Sequence, residues 1–388
     1  VKDLKIFAKT IEPQAQAQID LLLAQKPFEN CKVRIMPDVH AGAGCVIGFT
    51  ANLGDKVIPN IVGVDIGCGM LTVALGPIDI NYQLLDDVIR KYVPSGMEVH
   101  AEDVGHYTLI DDLRCYDRLR NVDRLHRSLG TLGGGNHFIE IDVDSCNNKY
   151  LIIHTGSRNL GKQVAEIYQD IAVKSLHGAK AERAEIIERL KAEGREREIP
   201  AALSNLKKKC AIPRDLCYLE GQNREDYLHD MRLCQQFARY NRDRIAKTIC
   251  DYMGWLSFDR FETVHNYIDR FGMVRKGAIC ASAGTMVLIP INMKDGCIIG
   301  MGLGNPDWNE SAPHGAGRLM SRAKAKASIP MDDYKAAMDG IFTTSVCQNT
   351  LDEAPQAYKP MDEILSCISD TVKVIQIIKP VYNFKAGD

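Results

Sequence analysis

Nowhere in its 388 residues does the chain carry the roughly 20 consecutive apolar residues that a bilayer-spanning helix needs, and its first residues lack the apolar core of a secretion signal. The expectation is a cytoplasmic protein with no membrane partner. A charge excess is also missing: the formal net charge is −2, so any contact with nucleic acid must come from a local basic surface rather than from the field of the whole molecule. There is no internal repeat and no low-complexity segment, which excludes a repeat architecture. The 13 cysteines are scattered and odd in number, which argues against a secreted disulfide framework and for reduced thiols, one of them free to bind metal. Apolar content of 45% and charged content of 25% are ordinary for a globular protein with a sizeable core.

The densest polar chemistry lies between Thr131 and Arg158. A glycine run ends in an amide and an imidazole, Gly133-Gly134-Gly135-Asn136-His137, followed by Phe138-Ile139-Glu140-Ile141 and then Leu151-Ile152-Ile153-His154-Thr155-Gly156-Ser157-Arg158. Alternation at Phe138 and Glu140, and the apolar run Tyr150 to Ile153, predict two strands, the second buried on both faces. His137 then begins one strand and His154 ends the other, each beside a glycine-bearing turn where backbone can approach a ligand closely. Either histidine alone reads as an ordinary strand-end residue. With Asn136 as an amide reader, Glu140 as an acceptor and Arg158 as a fork for phosphate, the group reads as a metal and phosphate site.

Three further loops carry candidates. Met36-Pro37-Asp38-Val39-His40 runs into a glycine-rich loop, where a tight turn with Asp38 accepting backbone hydrogen bonds is as good a reading as a chemical role. In Gly63-Val64-Asp65-Ile66-Gly67-Cys68-Gly69 an acid and a thiol can converge on one cation, because nothing bulky intervenes. Cys68 alone would be a small buried hydrophobe, but a buried carboxylate beside it is costly unless a cation compensates. Later, Pro313-His314-Gly315-Ala316-Gly317-Arg318 sets a histidine among small residues before a helix expected to begin near Arg318. Arg318 and Arg322, with the amides of that helix, would supply an anion site, which suits a histidine nucleophile attacking phosphorus. A capping turn with surface arginines is the plainer alternative.

The rest reads as scaffold. Helices are expected at Leu84 to Tyr92, Leu109 to Leu129, Gly161 to Leu176 and Arg224 to Met253, with Ala179 to Lys209 a solvated helical excursion rich in Lys, Arg and Glu. Strands are expected at Val46 to Thr50, Met286 to Ile289, Cys297 to Gly300 and Val372 to Ile378. His265, in Val264-His265-Asn266-Tyr267, reads by itself as a packed core histidine.

Taken in order, Met36-Pro37-Asp38-Val39-His40, Gly63 to Gly69, Gly134-Gly135-Asn136-His137-Phe138, His154 to Arg158, Arg275-Lys276-Gly277-Ala278, His314 to Arg318, and Asp352-Glu353-Ala354-Pro355 with Lys385 resemble the RtcB family of RNA-splicing ligases, over nearly the whole chain. The resemblance implies an α+β fold with mixed sheets around a central metal site, one catalytic domain over residues 1–388 and a helical insertion at about residues 165–260. It implies two divalent cations, usually manganese (Mn2+), held by Asp65, Cys68, His137, His154 and His265, the last entering the set only through the resemblance. Such mixed ligands do not fix the metal, and zinc would compete. The implied reaction moves guanylate from GTP to His314 and then to an RNA 3′-phosphate, after opening any 2′,3′-cyclic phosphate; attack by an RNA 5′-hydroxyl seals the strand and releases GMP. In that scheme Asn136, Arg158 and Arg318 contact phosphates, Glu140 and Lys385 face guanine, and Asp38 lies near the incoming 5′-hydroxyl. Pro290, Asn292, Met293, Gly315, Ala316 and Gly317 would line the nucleotide pocket.

One stretch departs from the pattern. Where the family usually has Pro-Gly-Ser-Met-Gly, this chain reads Pro290-Ile291-Asn292-Met293-Lys294. Asn292 can still hydrogen-bond a base, and the Lys294 ammonium near a triphosphate would strengthen anion binding, so the expectation is a narrower preference for GTP over ATP. The RNA itself, in tRNA splicing or in repair of cleaved transfer or ribosomal RNA, stays open at this point, as does any activating protein partner. Two other readings stand beside the ligase: a metal-dependent phosphoesterase acting on RNA ends, and a non-catalytic RNA-end binding protein.

Overall fold

Alternation along the strand Phe138–Val143 sorts its side chains onto two faces, with Ile139 and Ile141 on one and Phe138, Glu140 and Asp142 on the other. In the computed structural model, which describes residues 3–105, 108–177, 180–209, 212–256 and 259–386, this strand lies inside an eight-stranded sheet. The order is Met286–Asn292, Gly296–Gly302, Val372–Phe384, Phe138–Val143, Lys149–Thr155, Gly69–Gly76, Arg260–Val264, every adjacent pair antiparallel. Phe342–Thr343 adds to Val372–Phe384 in parallel. Ile139 and Ile141 join Leu71, Val73, Leu151 and Ile153 under the helices Tyr82–Tyr92 and Gly221–Met253, which contribute Leu85, Ile89, Ile245 and Ile249. The opposite face packs Met70, Phe138, Ile152, Leu288, Cys297 and Ile299, and the polar side chains of Glu140, Asp142 and His154 share it.

A five-stranded sheet, in the order Asp3–Ile6, Lys32–His40, Ile47–Asn52, Met273–Lys276, Tyr267–Ile268, carries Asp38 and His40 at the end of its second strand. The ribbon of Ala278–Cys280 with Ser311–Pro313 delivers His314 directly after its second strand. Close approach is enforced at Gly317, where φ is +76° and an added Cβ would sit 2.2 Å from the Asp38 carbonyl oxygen. The architecture is thus α+β, with mixed sheets around the expected site. No helix of the described residues is long and apolar enough to cross a membrane, and the described cysteines are all free thiols.

Most expected elements are present with longer bounds, such as Arg158–His177, Gly221–Met253 and Val372–Phe384. The excursion is two helices, Lys180–Ala192 and Ile199–Lys209, its expected first residue Ala179 lying outside the described residues. The helix expected from Leu109 to Leu129 is absent: the segment forms short turns and one helix, Val122–His126. Side chains of distant helices explain the difference. The amides of Arg114 and Cys115 donate to the buried Asp230 carboxylate, that of Arg120 donates to Gln163, and Asn121 adopts φ +53°, so the backbone donors are satisfied without a helical ladder. The helix expected near Arg318 begins instead at Arg322, with Ser321 capping it through Lys324 N, because Arg318 is held in a bridge to Tyr358.

The long helix locks the site-bearing loops through Asn241, which is fully buried. Its Oδ1 accepts from Gly130 N (2.7 Å) and Thr131 N (3.0 Å), and its Nδ2 donates to Thr131 O (3.0 Å) and Gly156 O (3.2 Å). The adjacent Arg242 donates to Gly67 O and Thr155 O. Each orphaned partner costs about 1–3 kcal/mol, so Asn241→Leu is expected to lower stability by more than about 2 kcal/mol in urea unfolding. A loss below about 0.5 kcal/mol, the range of an ordinary surface change, would contradict this account.

Candidate metal and nucleotide site

Four neighbouring strands end at one edge of the large sheet, and each end carries a candidate ligand. His137 precedes Phe138–Val143, His154 stands near the end of Lys149–Thr155, Cys68 precedes Gly69–Gly76, and His265 follows Arg260–Val264. Antiparallel order makes these starts and ends coincide in space. The Cys68 sulfur lies 3.5 Å from His137 Nε2 and 3.4 Å from His154 Nε2, and His154 Nε2 lies 3.4 Å from His265 Nε2. Asp65, in the turn before Cys68, brings Oδ2 to 2.9 Å from His137 Nε2. Two groups therefore share one sulfur: Cys68, His154 and His265, and Asp65, Cys68 and His137.

Protonation and bonding fit a cation in each group. Nδ1 of His137 is 2.9 Å from Leu132 O and Nδ1 of His154 is 3.2 Å from Asn136 O, which turns both Nε2 atoms toward the sulfur. Burial, with the neighbouring imidazoles, pushes His154 and His265 well below the usual histidine range, so both offer lone pairs at neutral pH. Burial and the Asp65 charge push the Cys68 thiol well above its usual range. Burial alone would raise Asp65, but the His137 hydrogen bond, with the His137 and Arg158 charges, outweighs it and holds the carboxyl at about 2. Asp65 Oδ1 and His265 Nδ1 have no hydrogen-bond partner among the described residues. A divalent cation would satisfy this crowd of donors and stabilise the thiolate.

His314 adjoins this cluster, its ring centroid 4.7 Å from that of His265. Asp38 is fully buried behind it, its Oδ2 accepting from His314 Nδ1 (2.6 Å) and His314 N (3.1 Å). That pair keeps the proton on Nδ1 and leaves the Nε2 lone pair outward, the orientation a nucleophile needs. Asp38, expected near an incoming hydroxyl, is also the carboxylate that holds the His314 ring.

Two cavities meet at His314. The larger, about 630 Å³ and within the range of small-molecule sites, is lined by Asn136, Phe138, Glu140, Pro290, Asn292 and Met293 on one side. Gly315, Ala316, Gly317, Arg318 and Lys385 close the other side. The smaller, about 440 Å³, runs along Asp65, Cys68, His265 and Lys276. Glu353, 2% exposed, gathers the cations of the larger cavity: Lys385 Nζ at 2.8 Å, Arg322 at 3.1 Å and Arg318 at 3.3 Å. Burial pushes its carboxyl up, but the charges of Lys385, Arg322 and Arg318 outweigh that and hold it at about 2. With Lys326 on Asp352, four cations face two carboxylates, a local positive excess in a chain of net charge −2.

Three expected residues sit differently. Arg158 lines neither cavity: its guanidinium packs over Gly133 and reaches Thr131 Oγ1, Gly96 O and His137 Nδ1 at 3.3 Å each, behind the histidine. Asn292 reaches the wall, but its amide is engaged in its own turn, accepting from Lys294 N and Asp295 N and donating to Asp295. Lys294 is exposed and lies off the wall, while Ile291 lines the wall and packs into the core behind it. Conversely, His40 was not singled out as a site residue. Its ring lines the larger cavity 6.5 Å from that of His314, tied to Asp38 O through Nδ1 (2.8 Å) and pushed down to about 4 by burial. The two-residue spacing of Asp38 and His40 on one strand was the available signal.

Comparison with known proteins agrees over this whole frame. A family model described as tRNA-splicing ligase RtcB matches residues 21–116 and 100–386. RNA-splicing ligase RtcB of Escherichia coli strain K12 is 31% identical, with 97% of this chain and 96% of the relative covered. RNA-splicing ligase RtcB2 of Escherichia coli strain ATCC 25922 is 27% identical over 90% and 86%, and tRNA-splicing ligase RtcB of Aeropyrum pernix 26% over 85% and 82%.

Two outcomes follow from the charges. Because Cys68 is protonated while His154 and His265 are neutral, binding Mn2+ at neutral pH is expected to release the thiol proton, read by calorimetry in buffers of different ionisation enthalpy. Cys68→Ala should release about one proton fewer per chain; an unchanged release would remove the thiol from the site. Glu353 has a depressed value, so its ionised form stabilises the fold above the ordinary 4.5 and that contribution fades as pH falls toward 2. Glu353→Gln should cost up to about 3 kcal/mol at pH 7 and less than about half of that at pH 3, and a pH-independent difference in unfolding free energy would contradict the assignment.

Proposed function

The chain belongs to the RtcB family of RNA-splicing ligases, and from that membership we propose that it joins RNA 3′-phosphate or 2′,3′-cyclic phosphate ends to 5′-hydroxyl ends, using GTP and Mn2+, in tRNA splicing or RNA repair. The observation that carries this reading is the Asp38–His314 pair, whose free nitrogen faces the junction between a nucleotide-sized cavity and the Cys68-centred ligand groups.

His314 Nε2 attacks the α-phosphorus of GTP; a nitrogen–phosphorus bond forms and pyrophosphate leaves. An RNA 3′-phosphate oxygen then takes the guanylate, breaking that bond, and the RNA 5′-hydroxyl oxygen attacks the 3′ phosphorus with GMP as leaving group. A cyclic phosphate is first opened by water. Asp65, Cys68, His137, His154 and His265 would hold two manganese ions, whose contribution when bound is to polarise phosphate oxygens. Asp38 keeps the nucleophile in the reactive tautomer, Asn136 and Arg318 meet phosphates, Glu140 and Lys385 face the base, and Arg158 steadies His137. Residues as distant in sequence as Asp38 and Lys385 meet at this one site, which supports a single catalytic domain with a helical insertion at about residues 165–260.

Incubation with GTP and Mn2+, then intact mass, is expected to show one added guanylate that acid removes and that His314→Ala abolishes. Asp38→Asn should slow its formation by about 100-fold or more, since the wrong tautomer then dominates. A wild-type protein without the adduct that still opens cyclic phosphates would be a phosphoesterase; one that binds RNA ends and does neither would be a binding protein. Either result overturns the proposal.

A further inference from the structure

Glu140 is not alone on its wall. Two residues on, Asp142 projects from the same face of the strand and is fully buried, and among the described residues no N–H or hydroxyl group donates to either of its carboxyl oxygens. The carboxyls of Glu140 and Asp142 and the Cys297 sulfur lie within 4.8 Å of one another. Across the neighbouring strand Asn383, also fully buried, donates Nδ2 to Glu140 Oε2 at 2.6 Å. The other neighbours are the thiol of Cys297 from Gly296–Gly302, the apolar Ile152 and Tyr150 from Lys149–Thr155, and Lys385, whose ammonium is tied to Glu353. Among the described residues, nothing facing Asp142 can neutralise a second negative charge.

Two carboxylates this close and this dry cannot both ionise, so the pair holds one proton. Burial and the Glu140 charge hold Asp142 well above the usual carboxylate range, and burial raises Glu140 less, so the proton belongs to Asp142. What Glu140 then shows the cavity decides which base it accepts. Guanine presents two adjacent N–H donors, which a carboxylate takes; adenine presents one donor beside a ring-nitrogen lone pair, which a carboxylate repels and a carboxylic acid would satisfy.

We propose that Asp142 is a positioning residue for base choice: it keeps one proton, donates it to Glu140, and so holds Glu140 as the bare carboxylate that takes guanine and refuses adenine. This rests on the reading above that the larger cavity receives the base at Glu140. The acid acts from behind the wall and does not touch the nucleotide.

The test uses wild type, Asp142→Asn and Asp142→Leu as full chains, with thermal melting as the folding control. Infrared spectroscopy of the wild type at neutral pH should show a protonated carboxyl band that Asp142→Asn removes. In labelling of His314 by GTP and by ATP between pH 5.5 and 8.5, Asp142→Leu should raise the KM for GTP roughly tenfold or more, the loss of one hydrogen bond to a charged group. Its preference for GTP should narrow at low pH and recover as pH rises and Glu140 ionises, whereas Asp142→Asn, whose amide still donates, should retain the preference. No protonated carboxyl in the wild type, unchanged KM and selectivity in Asp142→Leu, or equal damage by both variants overturns the proposal. So does a metal content that falls in Asp142→Asn, because the cluster would then hold a cation. If Asp142→Leu fails to fold, the infrared band and the GTP preference of Asp142→Asn decide. Absence of labelling by either nucleotide in wild type counts against the ligase reading, and the infrared band still tests Asp142 separately.

Discussion

Antiparallel pairing sets the start of one strand beside the end of the next, and here four such ends in a row carry His137, His154, Cys68 and His265. Everything else in the site depends on that adjacency. Strand order, rather than any local motif, gathers residues that lie up to 197 positions apart, counting from Cys68 to His265. The register is fixed from outside the sheet edge as well, because Asn241 and Arg242 of the long helix hold the loops on either side of it by backbone hydrogen bonds. A slip of one residue would turn every ligand to the other face.

The second requirement is to bury charge without leaving it unpaired. Beside His314 a single carboxylate, Asp38, holds that histidine by both backbone and ring, and the strand bearing it is pinned by the Lys359 ammonium on Pro37 O and Thr10 O. At the larger cavity Glu353 spaces three cations around the wall. At the metal edge the account is different, since Asp65, Cys68 and three imidazoles have more acceptor atoms than protons to fill them. The protein supplies compensation at the first two places and leaves the third, where the candidate ligand groups lie, short of it.

How much of this was readable in advance follows the range of the interactions. Asp65 and Cys68 were legible because they stand three positions apart across Gly67, and the strands at His137 and His154 because their apolar patterning is local too. His265 was not, except by resemblance: only sheet order tells a ligand there from a packed histidine. The failures have the same cause. The helix expected over Leu109 to Leu129 gave way to side-chain acceptors from Asp230 and Gln163, and Arg158 was drawn behind His137 by partners at Thr131 and Gly96. Asn292 and Lys294, which looked like changes of nucleotide chemistry, turn on a local loop closure that leaves the ammonium in solvent. Glu353 was part of a matching motif but acquired a role only when its three cationic partners became visible.

The proposal that most needs testing is that the two ligand groups containing Cys68 hold divalent cations beside His314. Anomalous diffraction at the manganese edge, from crystals grown with Mn2+, tests it without relying on turnover. The proposal predicts two peaks, one among Cys68, His154 and His265 and one among Asp65, Cys68 and His137. A single peak, or none at this edge of the sheet, would contradict it.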